Sequence, residues 1–183
     1  MGLSSSRFMP AMWAVVHSGM ALPPVVVGLV LYLLLSRSGP FSSLGWLFTP
    51  QAMILAQIVL VVPFVVGITM NSVSSVPREL VPQLMSLGAN QQQVRWAVLR
   101  EARAGVLLAV AAAFGRSISE VGAVMIVGGN ILGHTRTMTT AIVLETSKGN
   151  FGFALALGAT LLVISLALNI CLLRLNRSRP LYE

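Results

Sequence analysis

The chain has 183 residues, of which 56% are hydrophobic and only 9% charged, with a mean hydropathy of +0.85. About a quarter of the residues in an average soluble domain are charged, so this composition excludes a water-soluble surface. The net charge of +7 comes from 12 Lys and Arg against five Glu and no Asp, but the cations are scattered over loop ends, which argues against a nucleic-acid face and makes membrane topology their use.

The N-terminal segment 1–11 contains Arg7 and three serines, with no small-residue cleavage site convincingly following, so the first apolar stretch is expected to stay in the mature protein. A first span is predicted over about Met12–Leu35, long enough for the ~30 Å hydrocarbon layer. It contains His17 and the pair Pro23-Pro24, which predicts a kink or a break. That break either lines a pathway or is a proline kink accommodated by neighbouring helices. A second span is predicted over about Gln51–Met70, with Pro63 and Gly67 inside and Gln57 as its one strongly polar side chain.

Residues 71–104 form the one long hydrophilic connection. Arg78–Leu87 reads as a short amphipathic helix with Leu80, Leu84 and Leu87 at helical spacing and Gly88 as its C-cap. Gln91–Arg103 reads as a second, with Val94, Val98 and Ala102 on one face. The two helices present a firm shape to the cytoplasm or lie on lipid headgroups, where Arg95, Trp96, Arg100 and Arg103 would suit equally.

A third span over about 105–127 carries Arg116 and Glu120, four apart and therefore predicted to pair on one helix face. The pair either fixes packing between spans or lets Arg116 lend positive potential to an anion path. Gly122, Gly128, Gly129 and Ala109–Ala113 suit close helix approach. The segment His134–Lys148 reads as a short outer helix with hydroxyl caps among Thr135, Thr137, Thr139 and Thr140 and Gly149 as its stop. Its first turn serves ordinary capping or receives an anion. A fourth span, Phe151–Leu173, is uncharged, and 177–183 is a basic tail. Placing both termini in the cytoplasm puts eight cations inside (Arg7, Arg78, Arg95, Arg100, Arg103, Arg174, Arg177, Arg179) and three outside (Arg37, Arg136, Lys148).

The lone Cys171 excludes an internal disulfide or cysteine-rich metal site, and His17 and His134 fall on opposite sides in this topology, so no metal site is expected. No cofactor motif is present either. The chain lacks a Gly-x-x-x-x-Gly-Lys-Ser/Thr loop, a Ser/His/Asp set and paired carboxylates, which points away from an enzyme and leaves ATP to a partner.

The apolar span followed by Leu87-Gly88-Ala89, a second amphipathic stretch and Gly105 resembles the inner loop of type I, binding-protein-dependent ABC importer permeases. The run Phe114-Gly115-Arg116-Ser117-Ile118-Ser119-Glu120-Val121-Gly122-Ala123, continuing to Gly128-Gly129-Asn130-Ile131, is similar to the oxyanion group for molybdate, sulfate and tungstate. With Thr135-Arg136-Thr137-Met138-Thr139-Thr140-Ala141-Ile142 it most resembles tungstate permeases, and Leu22-Pro23-Pro24-Val25-Val26-Val27-Gly28 extends the likeness over nearly the whole chain.

The resemblance implies an all-α polytopic bundle of about four to five transmembrane helices in the inner membrane, with a permease domain over 12–176 that is expected to lack the family's usual N-terminal span. It implies an ATPase-coupling loop with Arg78, Leu84, Leu87, Gly88 and Ala89, although Pro82, Gln83 and Leu84 stand where the family's acidic and alanine signature would be. It further implies a path or gate at Pro23, Pro24, Arg116, Ser119, Glu120 and Gly122, and an outer contact for a solute-binding protein at Asn130, Thr135 and Arg136. The implied partners are a cytoplasmic ATPase, that binding protein, a second copy of the chain and the bilayer, with no nucleic acid. An ion-coupled secondary carrier, which would want more membrane carboxylates than Glu120 alone, and a non-transporting scaffold are the competing classes.

Overall fold

A computed structural model describes residues 8–177, which are helical throughout apart from short connections. Of the predicted cytoplasmic ends, 1–11 and 177–183, residues 1–7, with Arg7, and 178–183, with Arg179, lie outside the described residues. The helices are α1 (Phe8–Met20), α2 (Pro24–Leu35), α3 (Pro50–Ser74), α4 (Leu80–Ser86), α5 (Gln91–Glu101), α6 (Arg103–Ser119), α7 (Gly122–Gly128), α8 (Met138–Ser147) and α9 (Phe151–Arg177).

Two of them, α3 with a mean hydropathy of 2.5 and Phe151–Cys171 of α9 with 2.3, are long and apolar enough to cross a membrane alone. Four crossings result if each of two bent pairs counts as one: Pro10–Met20 with α2, bent by 95°, and α6 with α7, bent by 55°. The first bend is where Pro23-Pro24 predicts it. Pro24 starts α2, where its fixed φ is compatible with a helix and its missing N–H costs no ladder bond. The pair therefore opens a new helix rather than merely kinking an old one. Pro63, by contrast, stays inside an unbroken α3.

The second bend departs from expectation, because the predicted continuous span 105–127 ends at Ser119 and restarts at Gly122. Glu120 has extended backbone, φ −71° and ψ 127°. Its cause is tertiary. Gly122 packs against the start of α2, where a Cβ on it would lie 2.9 Å from Val25 Cγ2, so the two breaks sit side by side.

Helix α3 is the axis of the bundle. Along its Pro50 end lie α2 and α7, and the core there is Val27, Leu31, Leu35, Ala52, Ala56, Leu60, Ala123 and Val127. Small residues set this spacing: a Cβ on Gly28 would come within 2.7 Å of Ala123 Cα. Toward the Ser74 end α1 and α6 take over, with Gly67 against Met20 and Val16, and Gly105 against Ser72. Helix α9 packs on α6 and α8 but buries only 6% of its apolar stretch, leaving Leu155, Leu162 and Leu166 outward, a surface suited to lipid.

Between α3 and α6 the chain folds into a helical hairpin, α4 and α5. Gly88 has φ +84°, its N–H donates to Met85 O at 3.1 Å and the Ala89 N–H donates to Leu84 O at 3.0 Å, the paired bonds of a Schellman end. Asn90 then opens α5 with a reciprocal cap, accepting from Gln93 N at 2.9 Å while Gln93 Oε1 accepts from Asn90 N at 2.8 Å. Val94 and Ala102 are buried and Val98 half-buried, as their spacing predicts. Leu87 departs from the predicted apolar face: as the non-helical C-cap it points away and is 83% exposed.

Candidate functional site

A helix broken inside an apolar bundle frees backbone groups that must find other partners. At the α6–α7 junction some partners are local and others are brought in by α3 and α8. Ser117 O accepts from Glu120 N at 3.4 Å and from Gln57 Nε2 of α3 at 3.2 Å, while the Ser117 hydroxyl donates to Gln57 Oε1. Glu120 Oε1 accepts from Ala123 N at 2.9 Å and so caps α7. Glu120 O accepts from the Thr139 hydroxyl of α8 at 3.2 Å, and the Ser119 hydroxyl donates to Arg116 O at 3.0 Å.

This arrangement corrects the expected Arg116–Glu120 ion pair. The helix ends between the two residues, so they no longer share a continuous face, and the carboxylate is turned onto α7. The Arg116 guanidinium instead stands 5.3 Å from the centre of the Phe64 ring, and its Nε is buried without a hydrogen-bond partner. An unmet buried donor costs about 1–3 kcal/mol, and a cation over an aromatic face offsets roughly 0.5–2 kcal/mol of that.

Beside the junction lies an open cavity of about 740 Å³ between α3, α7, α8 and α9. Its walls are mostly apolar, including Ile54, Ile58 and Ile164, and its polar groups are Gln57, Ser117, Glu120, Thr137 and Thr139. Of the residues expected on a path, Glu120 alone lines this cavity. Ser119 and Gly122 belong to the break, and Pro23 and Pro24 stand next to it through Val25. Gln57 is a functional candidate outside the expected path residues, visible in the sequence as a strongly polar side chain inside an apolar span, and Thr139, read only as a cap or anion-receiving hydroxyl, turns out to donate to Glu120 O.

Asn130, Thr135 and Arg136 come together in the loop from α7 to α8, but as its internal brace. Gly129 and Asn130 turn the chain with φ of +71° and +51°, conformations that glycine and asparagine tolerate best. Thr135 Oγ1 donates to Gly128 O and accepts from Ile131 N at 2.9 Å. Arg136 donates through Nε to Asn130 Oδ1 and through Nη2 to Asn130 O, both at 3.2 Å. Thr135 is 2% exposed, so it has no surface to offer a partner, whereas Leu132 at the loop tip is 76% exposed. Helix α8 starts with a reciprocal cap, Thr140 N donating to Thr137 Oγ1 at 3.3 Å and Thr137 N to Thr140 Oγ1 at 3.0 Å, so ordinary capping occupies the hydroxyls there. It ends at Gly149 with a second Schellman turn. Lys148 Nζ at 2.8 Å and Asn150 Nδ2 at 3.0 Å both donate to the Glu145 carboxylate, and these bonds lower its pKa.

Of the residues expected to couple to an ATPase, Leu87, Gly88 and Ala89 form the tip of the α4–α5 hairpin, Leu84 lies within α4, and Arg78 stands at its other end. Leu84 is half-buried, Leu87, Gly88 and the neighbouring Met85 are exposed, and Arg78 lies exposed in the turn before α4. Met85 and Leu87 make an exposed apolar knob on a chain-reversing frame held by backbone bonds.

Residues 5–179 match the family described as binding-protein-dependent transport system inner membrane component. A probable anion ABC transporter permease protein of Haloferax volcanii is 48% identical over 161 residues, 85% of this chain and 69% of the relative. The tungstate uptake system permease protein TupB of Peptoclostridium acidaminophilum is 45% identical over 92% of this chain and 74% of its own length. The molybdenum transport system permease protein ModB of Escherichia coli is 29% identical over 91% of this chain and 78% of its own length. Broken apolar helices on a central span, a capped hairpin outside the bundle and a family match over almost the entire sequence agree: this chain belongs to the binding-protein-dependent transport system inner membrane components, the permease subunits of ABC transporters.

Proposed function

We propose that the chain is the translocating subunit of an ATP-driven importer for tungstate. The observation that carries the reading is the meeting of two helix breaks, Pro23-Pro24 and Glu120–Gly122, through Val25 and Gly122, with Glu120 lining a cavity that has its own polar groups. Irregular backbone inside an apolar bundle is tolerated where protein or a water-filled path satisfies it. The tungstate uptake permeases at 45% and 38% identity support the choice of oxyanion, since the 29% likeness to a molybdenum permease is weaker over a similar share of the chain.

In this reading a separate ATPase docks on the α4–α5 hairpin and hydrolyses ATP, both termini are cytoplasmic, and a solute-binding protein delivers cargo to the loop side that carries Asn130, Arg136 and Leu132. Two copies of the chain enclose the path. Arg116, Ser119, Glu120 and Gly122, with Pro23 and Pro24, form its gate.

Tungsten accumulation by cells that express this chain with its ATPase and binding protein tests the proposal. Uptake should resist about a tenfold excess of sulfate and fall when the ATPase is inactivated. Accumulation of molybdenum but not tungsten would reassign the substrate, and accumulation of neither would sink the reading.

A further inference from the structure

Arg116 and Glu120 are each held short of the other by the same 55° bend. Three of the bonds that maintain the bend have a ready substitute in a straight helix. Ala123 N, now on the Glu120 carboxylate, would return to Ser119 O, its i−4 partner; Glu120 N, now on Ser117 O, would move to Arg116 O. Glu120 O would exchange the Thr139 hydroxyl for the Val124 amide. The released carboxylate would then face Arg116 one turn away, where an i, i+4 pair is in contact. The buried Arg116 Nε, which donates to nothing in the bent form, would gain an ionised acceptor.

We propose that the α6–α7 junction is a two-state latch in which Glu120 alternates between capping α7 in the bent form and pairing with Arg116 in a straightened one. Gln57 and Thr139 are its positioning residues. They reach the junction from α3 and α8, so straightening requires those helices to let go, which ties the latch to movement of the neighbouring elements. Such a segment gives alternating access the discrete pair of arrangements it needs. The latch deepens the permease reading and rests on it.

A double-mutant cycle on the complete transporter tests it. Arg116→Gln removes the cation, and Glu120→Gln keeps an oxygen that can accept from Ala123 N but removes the charge. The side chains are not paired in the bent form, so strong coupling between them must come from a different arrangement. Each single variant should lower ATP-driven uptake about tenfold, and the double variant should lose no more than either single one. Losses that multiply to about a hundredfold, or an undiminished single variant, would overturn the latch. Arg116→Lys and Glu120→Asp keep the charges and should retain uptake within about threefold; equal loss in these at normal membrane levels would also count against it. If the unaltered complex moves no tungstate, the substrate assignment fails by itself, and the same cycle read on ATP hydrolysis by the complex still decides the latch.

Discussion

At the scale of single residues, Gln57 is the side chain on which the junction most depends. It satisfies both the carbonyl and the hydroxyl of Ser117 from a helix 60 residues away. Gln57→Leu should leave Ser117 O without that donor and cost about 1–3 kcal/mol, read as a lowered unfolding midpoint of the purified protein. An unchanged midpoint would show that the bond contributes nothing. Glu145 makes a second residue-scale prediction, this one in pH. Bonds from Lys148 and Asn150 depress its pKa, so the stabilisation is fully present above the ordinary carboxylate value and is lost as pH falls through the depressed one. Hydrogen-exchange protection at the α8 C-terminus, taken relative to the intrinsic rate at each pH, should therefore fall across that acidic window, and Glu145→Gln should abolish that fall. Arg116 shows the limit of residue-scale reading: the i, i+4 spacing to Glu120 is right for a pair, and the broken helix removes the geometry on which the spacing rule depends.

At the scale of elements, what could be read in advance was what local chemistry decides. Apolar runs mark α3 and α9, the Pro23-Pro24 pair ends one helix and begins another, and Gly88 and Gly149 stop α4 and α8 because each must take positive φ. The α6–α7 break was hidden because its causes, Val25, Gln57 and Thr139, are remote in sequence and leave no proline or other local breaker at Glu120. The loop to α8 escaped prediction for a related reason: Thr135 reads as a cap or an outer contact until Gly128 and Ile131 fold around it. Helix pairing yields its own prediction. Gly28→Val would drive a side chain into the Ala123 backbone and force α2 from α7, with an overpacking cost of about 1–3 kcal/mol and a matching loss of thermal stability. The same substitution at Gly115, which has open space around it, should cost far less, and equal losses at the two positions would refute the close-packing explanation.

At the scale of the whole molecule, the bundle divides its labour along α3. The Pro50 end carries the tight core and the breaks, and the Ser74 end carries the hairpin through which a partner can push. The basic-residue bias predicts that this hairpin faces the cytoplasm. Cysteines placed at Ser43 and Gln92 should report it: an impermeant thiol reagent should label the first and not the second in intact cells, and strong labelling at Gln92 would invert the topology. The most direct test of the central claim, that this chain moves tungstate on behalf of an ATPase, is reconstitution of the complex in sealed vesicles with binding protein outside and ATP inside. Tungstate should accumulate in the lumen only when ATP is hydrolysed; accumulation driven by an ion gradient without ATP would contradict the account.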